Sequence, residues 1–518
     1  MTHEERHKLK TIKKVLGTVF NRFFIMVLLI MIQFGWIAVK LVELADYSQV
    51  ITVIFTVISA IMALFVVYRN DNPAYKMGWV LLICLLPVLG ATMYLFFGNK
   101  RPSRTIRKKV YPVEHAHRDD ARQEMPLIEE KDVRVRKTME YISKFGPYPA
   151  WKNTSTRYYK SGEDAFVDML EDLEKAEHFI FLEYFIVGTG KMWNKIFRIL
   201  KRKAAAGVDV RFIYDDFGSI QKVPITFAAH LEKNGIKVLP FNPVKPIASL
   251  VYNNRDHRKI LVVDGYIGYS GGFNLADEYI NEEERFGYWK DTGVRLEGDA
   301  VWNYTFMFLN LWNAYRKTED DYSMFRPYIY GPKKQESDGI VQPYSDSPLD
   351  DENLGENVYL EIVNRATDYL YIFTPYLIVD SEMMTCLQLA SKRGVDVRIV
   401  TPAIPDKKIV FRLTRSYYRP LIKAGIRIYE FTPGFIHAKS FISDDKVGVV
   451  GSINVDYRSL FLHFECGTLM SGCSALSGLK QDCLDTFDVS KEIGLEDTRT
   501  SFIGILFDSV LRLLSPLM

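Results

Sequence analysis

The feature that most constrains the fold of this chain is an internal repeat. The run His257-Arg258-Lys259-Ile260-Leu261-Val262-Val263-Asp264, followed by Gly271-Gly272-Phe273-Asn274, returns as His437-Ala438-Lys439-Ser440-Phe441-Ile442-Ser443-Asp444, followed by Gly451-Ser452-Ile453-Asn454. Both copies read His-x-Lys, four residues, Asp, then Gly-Gly/Ser-x-Asn at the same offset. Side chains alternate along an extended strand, so His257 and Lys259 are predicted to share one face, as are His437 and Lys439. The β-branched and aromatic residues between them predict buried strands. Asp264-Gly265 reads as a tight hairpin turn and Asp444-Asp445-Lys446 as a looser one. Each copy is therefore expected to be a hairpin carrying an imidazole and an ammonium side by side.

The repeat extends beyond the hairpins. Ala-Gly-Val-Asp-Val-Arg-Phe-Ile at 206–213 recurs as Arg-Gly-Val-Asp-Val-Arg-Ile-Val at 393–400. Amphipathic segments at 192–205 and 382–392 precede these, and strand-like runs at 178–186 and 369–375 come before those. Matching segments follow at 231–238 and 421–428. Strand, helix, strand, helix, strand, hairpin thus occurs twice, which predicts an α/β fold with sheets sandwiched between helices. Two halves, at 150–332 and 333–518, are expected to bring both hairpins to one cleft.

The paired groups suit phosphoryl chemistry. A neutral imidazole can attack phosphorus and form a covalent intermediate. A lysine beside it stabilises charge on the phosphoryl oxygens, and a second histidine can protonate a leaving oxygen and then activate an acceptor. One copy alone would fit a core histidine and a turn aspartate equally well; two copies at identical spacing do not.

Three apolar stretches occupy the first hundred residues, at 23–39, 50–68 and 77–97. Each lacks charge and approaches the roughly 20 residues that cross a bilayer core, so residues 1–100 are predicted to be a membrane anchor of two or three hydrophobic helices. A cleaved signal peptide does not fit, because the first stretch lacks a small-residue cleavage site and further stretches follow. Arg6, Lys8, Lys10, Lys13, Lys14 and Arg22 lie before the first stretch, and Lys100, Arg101, Arg104, Arg107, Lys108 and Lys109 after the third. Lys40, Glu43 and Asp46 lie between the first two. Basic residues on both flanks put both in the cytoplasm and require an even number of crossings. Three stretches are odd, and Gln33 and Gly35 in the first and Pro87 and Gly90 in the third leave the topology open. The flanks would also attract anionic headgroups. Residues 101–149, with a mixed-charge run at 118–136, read as a polar linker or, equally, a solvated helix.

A net charge of +3 carries no global nucleic-acid signature. Five scattered cysteines (Cys84, Cys386, Cys466, Cys473, Cys483) show neither a disulfide framework nor metal-ligand spacing. There is no phosphate-cradling glycine loop and no carboxylate cluster that demands a metal, so neither cofactor nor metal is expected. At the C-terminus, apolar residues at helical spacing over 502–514 predict a helix that packs on the second half or touches a membrane interface.

The duplicated His-x-Lys-x4-Asp resembles the phospholipase D superfamily, and the match narrows further. Asn254-Arg255-Asp256-His257-Arg258-Lys259, Gly271-Gly272-Phe273-Asn274, Trp289-Lys290-Asp291-Thr292, Gly434-Phe435-Ile436-His437-Ala438-Lys439 and Gly451-Ser452-Ile453-Asn454-Val455-Asp456-Tyr457-Arg458-Ser459 are similar to bacterial cardiolipin synthases. The resemblance runs from about residue 50 to the C-terminus. It implies two phospholipase D-like α-β-α halves sharing one site. It also implies transfer of a phosphatidyl group from one phosphatidylglycerol to another, giving cardiolipin and glycerol through a phosphohistidine. A bacterial cell membrane location follows, multi-pass, with the catalytic part on the cytoplasmic face and phosphatidylglycerol and other anionic phospholipids as partners.

By the family's usual order His257 is the nucleophile and His437 the acid/base, although nothing in the sequence tells them apart. Lys259, Lys439, Asn274 and Asn454 would hold phosphoryl oxygens, and Asp291 and Glu465 would orient the histidines. Asp264 and Asp444 belong to the catalytic motif, with a structural role in tying the hairpins as their expected contribution. Glu183 and Tyr376 are lesser candidates, the latter for the lipid entrance. Three positions depart from the family pattern: Gly272 from the superfamily's serine, Gly293 from a frequent histidine, and His463 from a frequent asparagine. Hydrolysis to phosphatidic acid, or a non-catalytic membrane scaffold, are the competing functions; a nuclease is disfavoured by the apolar stretches.

Overall fold

The computed structural model describes residues 31–36, 47–98, 104–121, 131–243, 254–332, 339–350 and 352–517. Most of the first apolar stretch lies outside them, as do the basic residues that precede it, Lys40, Glu43, Asp46, Lys100, Arg101 and positions 122–130 of the mixed-charge run. Two compact units are distinguished: one holds residues up to 101 together with 509–518, the other 102–243 with 254–508.

In the first unit, helices run Tyr47–Tyr68, Pro73–Leu85 and Pro87–Phe97. Proline at a first helical turn lacks only an N–H that would have no partner there, so Pro73 starts one helix, with Asn72 Oδ1 accepting from Ala74 N at 3.0 Å. Pro87 ends the preceding helix and starts the next. The third apolar stretch is consequently two short helices rather than one span. Val66, Tyr75, Trp79, Ile83 and Tyr94 form a small core. Among the described residues no helix is long and apolar enough to cross a membrane, and the expected spans gain no support from them.

The second unit carries two mixed sheets. The first contains β1 (Thr154–Tyr159), β2 (Phe179–Tyr184), β3 (Asp209–Asp215), β4 (Lys237–Phe241), β5 (Lys259–Val263), β6 (Ile267–Gly271) and, beyond the short β7 (Tyr288–Lys290), β8 (Gly293–Gly298). Its order is β1-β8-β6-β5-β2-β3-β4. The second contains β9 (Ile340–Asp346), β10 (Tyr369–Phe373), β11 (Asp396–Pro402), β12 (Arg427–Phe431) and, beyond the short β13 (Gly434–Ile436), β14 (Ser440–Ser443), β15 (Val447–Gly451), β16 (Glu465–Ser471) and β17 (Ser490–Glu492). Its order is β17-β12-β11-β10-β14-β15-β16-β9. In each, a parallel triplet joined by crossover helices meets an antiparallel hairpin. Parallel neighbours need such crossovers, and strands covered on both faces read as unbroken apolar runs. Accordingly Lys191–Ala205 and Ser381–Lys392 are helices, and β2 and β10 are buried throughout.

The repeat is longer than its sequence signature. Each half also begins with an edge strand and a helix, β1 with Gly162–Lys175 and β9 with Leu354–Arg365. A further helix, Val301–Arg316, is buried from Val301 to Ala314; covered on all sides, it shows no single stripe by which to foresee it. The stretch read as a linker is helical where described, at Arg104–Ala116 and Val133–Phe145. Val135, Met139 and Ile142 are fully buried, and Gln342 Nε2 donates to the carbonyls of Met139 and Tyr148. It belongs to the catalytic unit because it has an apolar stripe that the charges around it conceal.

The hairpins also correct two local expectations. β5 begins at Lys259, so His257 lies just before the strand rather than in it. The second turn is as tight as the first: Asp264 and Gly265 have φ of +48° and +73°, Asp444 and Asp445 +56° each. Asp445 tolerates the left-handed region with its side chain held by Tyr369 and Lys480. At the far end of each hairpin strand from the Lys, Asp264 accepts from the amides of Glu177, His178 and Phe179, each at 2.8 Å. Asp444 does the same for Thr367, Asp368 and Tyr369. With β5 rising about 3.3 Å per residue, Asp264 lies about 16 Å along the chain from Lys259, so counting these aspartates with the catalytic groups is corrected: each ties its hairpin to the start of the central strand. Replacing Asp264 by alanine leaves three amides without their acceptor and is expected to lower unfolding stability by roughly 2–4 kcal/mol. Urea titration checks this, and a loss under about 0.5 kcal/mol would remove the tying role.

Candidate active site

The two histidines are positioned by backbone pairing across the halves. His257 N donates to Phe464 O at 2.9 Å, and Phe464 N to Arg255 O at 2.8 Å. His437 N donates to Lys290 O at 2.7 Å, at the end of the β7–β13 parallel pair. Each histidine is thereby docked beside the residue preceding a carboxylate of the other half, Glu465 or Asp291.

The side chains follow the backbone. His257 Nδ1 lies 2.8 and 3.0 Å from the Glu465 oxygens, and His437 Nδ1 lies 2.7 Å from Asp291 Oδ2. Both carboxylates are fully buried. The orienting pairs are therefore crossed: the first-half histidine takes its carboxylate from the second half, and the reverse. An ionised carboxylate on Nδ1 keeps the proton at that nitrogen and leaves Nε2 with its lone pair.

Lys259 and Lys439 each donate through Nζ to the carbonyl of the histidine two residues before, His257 and His437. Both ammoniums are buried, which pushes Lys259 down to about 8 and Lys439 to about 7. Burial, then the neighbouring lysine, pushes His257 well below its ordinary value and His437 to about 4. Burial likewise raises Glu465 well above the carboxylate range despite Lys259. Burial also opposes ionisation of Asp291, yet His437, Lys439 and the Thr292 amide hold it below that range. The two pairs are thus electrostatically unequal.

The asparagines differ too. Asn274 Oδ1 accepts from Ile186 N at 2.9 Å and its Nδ2 donates to Tyr279 OH at 2.8 Å. Its amide is engaged within the first half, which counts against free use on a phosphoryl oxygen. Asn454 is buried, and its Oδ1 has no hydrogen-bond partner. Glu183 pairs with Arg258, Nη2 to Oε1 at 2.7 Å, and Arg258 Nε lies 3.1 Å from Asp256 Oδ1. This buried trio lies behind His257 and has no counterpart where Ala438 stands. Tyr376 OH donates to Asp406 Oδ2 at 2.6 Å. Aromatic rings wall the histidines: Phe185 4.8 Å from His257, and Trp289 and Tyr279 5.4 and 5.6 Å from His437, between centres. No spacing in the sequence marks Phe185 or Tyr279; they reach the site from loops after β2 and β6. Among the described residues no group of three or more His, Cys, Asp or Glu is placed to hold a metal.

The two glycine departures from the family pattern have steric reasons. A Cβ on Gly272 would meet Asp291 Oδ1 at 2.0 Å, and one on Gly293 would meet the Phe273 ring at 2.1 Å. At the position equivalent to Gly272, Ser452 instead donates through Oγ to Glu465 Oε2 at 2.5 Å. The Gly/Ser difference in the repeat thus matches the Asp/Glu difference in the carboxylates. His463 sits with its ring centre 5.9 Å from that of His257. Gly272→Ser is expected to displace Asp291 from His437 and lower kcat at least tenfold with the fold intact, read by steady-state kinetics beside circular dichroism; unchanged kcat would deny Asp291 its orienting role.

A family model described as the cardiolipin synthase, PLD-like domain matches residues 169–287 and 359–482, once on each half. One described as phospholipase D-nuclease N-terminal matches 58–99. An uncharacterized protein of Streptococcus mutans serotype c is 46% identical over 466 residues, covering 88% of this chain and 99% of its own. The cardiolipin synthase of Geobacillus sp. (strain WCH70) is 35% identical over 472 residues, covering 89% of this chain and 92% of its own. Among solved structures, phosphatidylserine synthase of Haemophilus influenzae Rd KW20 shares the fold, with a TM-score of 0.55 at 14% identity over 74% of this chain and all of that one. The chain belongs to the cardiolipin synthase family.

Proposed function

We propose that this protein transfers a phosphatidyl group from one phosphatidylglycerol to the glycerol hydroxyl of another, releasing glycerol and forming cardiolipin. The observation that carries the reading is the crossed pair of carboxylate-bound histidines with a buried lysine beside each. Membership of the cardiolipin synthase family supplies the substrate class.

In the proposed sequence His257 Nε2 attacks phosphorus, forming an N–P bond as the P–O bond to glycerol breaks. His437, as imidazolium, gives its proton to the departing oxygen. The hydroxyl of a second phosphatidylglycerol then loses its proton to His437 and attacks phosphorus, and the N–P bond breaks to free His257. Lys259, Lys439 and Asn454 would carry the non-bridging oxygens. The assignment of roles is supported by the unequal pairs. Burial lowers both imidazoles, His437 to about 4 and His257 well below its ordinary value. The ionised Asp291 acts on His437 in the raising direction, toward the imidazolium the reaction needs. The phosphodiester anion, set between the lysines, would aid protonation of His437 once bound.

The helix Tyr47–Tyr68, with Val50, Val53, Ile54, Val57, Ile61 and Leu64 exposed, supports attachment of the N-terminal unit to a bacterial cell membrane.

Purified protein with labelled phosphatidylglycerol is expected to yield cardiolipin and glycerol in equal amounts. Phosphatidic acid instead would make water the acceptor and the protein a phospholipase, and no turnover would favour a scaffold. His437→Ala is expected to lower kcat by roughly 10²–10⁴-fold, and His257→Ala to abolish acid-quench trapping of labelled lipid on the protein; a variant retaining full activity would end the two-histidine mechanism. Because the lysines work as cations and titrate near 7 and 8 in the free protein, kcat/KM is expected to fall as pH rises through 7–8. The limb for kcat should lie higher, since bound phosphate holds the lysines protonated. A kcat/KM flat from pH 7 to 9 would contradict this.

A further inference from the structure

The first half of the helix Phe502–Leu514, through Asp508, belongs to the catalytic unit and meets it through Arg412. Arg412 Nε lies 2.6 Å from Asp508 Oδ1, and its Nη2 donates to Gly504 O at 3.4 Å. The same guanidinium sits 4.5 Å from the centre of the Phe507 ring. The helix turns its apolar side chains outward: Phe502 is 74% and Ile503 77% exposed, and Ile505, Leu506 and Phe507 about half. Of the two expectations for this helix, packing on the second half or a membrane contact, the outward apolar side chains of its first half count against the former, while Leu511 is buried. Five large apolar residues exposed together over six positions exceed the scattered exposure usual on a soluble surface and mark a contact site.

The neighbouring helix tells what kind of surface fits. Lys408–Lys423 carries Lys408, Arg412, Arg415, Arg419 and Lys423 and no carboxylate, and its Ile409 is 56% exposed. Apolar side chains rimmed by cations match an anionic lipid surface, in which the first enter the acyl boundary and the second meet headgroups. A two-fold contact with a second copy would oppose the same cations to one another.

This surface also adjoins the site. Just before Lys408–Lys423, Asp406 accepts from Tyr376 OH, and Lys407 Nζ lies 5.3 Å from the centre of the Tyr376 ring. The Tyr279 ring centre lies 5.6 Å from that of His437. Tyr376, Asp406 and Lys407 thus form one polar cluster at the start of the cationic helix, next in sequence to Lys408.

We infer that Phe502, Ile503, Ile505, Leu506 and Phe507, with Ile409, seat on an anionic bilayer, so that a lipid's phosphate reaches His437 past Tyr376 while its acyl chains stay in the membrane. The inference rests on the lipid-substrate reading above. Membrane attachment of the whole chain cannot test it, because the N-terminal unit is itself proposed to attach. The test is local.

In full-length protein reconstituted in phosphatidylglycerol-containing vesicles, Ile503→Trp is expected to add emission that is blue-shifted and quenched by brominated acyl chains. The double variant Ile503→Asp with Leu506→Asp is expected to raise the apparent KM for vesicle phosphatidylglycerol about tenfold or more, with turnover of short-chain phosphatidylglycerol in detergent unchanged. Added emission that stays red and unquenched would overturn the inference. So would equal losses on both substrates, or a fall in sedimenting mass in the double variant, which would give the surface to a second copy. If wild-type protein turned over neither substrate, the lipid-transfer reading would fail, and the quenching would still decide whether this face meets a bilayer.

Discussion

The active site depends on an exchange of carboxylates between two similar halves. Glu465 reaches His257 and Asp291 reaches His437, and each contact is set by a backbone hydrogen bond one residue away, from His257 N to Phe464 O and from His437 N to Lys290 O. Neither half on its own has an oriented histidine. The short β7–β13 pair and the Asp256–Phe464 bridge are therefore more than ornaments on the two large sheets, since they hold each imidazole in line with a carboxylate that the other sheet supplies.

Burial then determines what those groups can do. Two ammoniums and two imidazoles crowd into a site walled by Phe185, Trp289 and Tyr279, and water is largely excluded from all of them. Desolvation disfavours the charged form of each base, so both lysines and both imidazoles are held below their ordinary values. Such a site gains from receiving an anion: a phosphodiester supplies the counter-charge that the protein withholds. Both carboxylates are fully buried, yet they answer burial differently: His437, Lys439 and the Thr292 amide outweigh it at Asp291, whereas Lys259 and the Ser452 hydroxyl do not at Glu465. The pseudo-symmetric site is in that way chemically asymmetric.

Much of this was legible in the residues. The doubled His-x-Lys-x4-Asp, the Gly-Val-Asp-Val-Arg strands and the apolar spacing at 192–205 and 382–392 foretold both sheets, because periodicity and turn chemistry are local. The motif aspartates were legible as hairpin ties, since Asp tolerates positive φ and offers two acceptor oxygens. Less was legible where a contact joins distant segments. The helices at 104–116 and 133–145 read as a linker because their charges are local whereas the groove that buries Val135 and Met139 is not. Val301–Arg316 shows no stripe because it is covered on all sides.

Gly272 and Ser452 show the division most closely. The sequence by itself determined that the chain is a duplicated α/β protein of this chemistry, that both histidines and both lysines are present, and which carboxylates were candidates, since residue type and spacing are written in order along the chain. Only the tertiary structure decided that the carboxylates cross over, that Gly272 must lack a side chain to admit Asp291, and that Ser452 can serve Glu465. The crossing depends on which surfaces of two folded halves meet, at sequence separations of 208 and 146 residues, and the Gly272 and Ser452 contacts on which neighbouring strands of one sheet pair; no local rule of spacing encodes either.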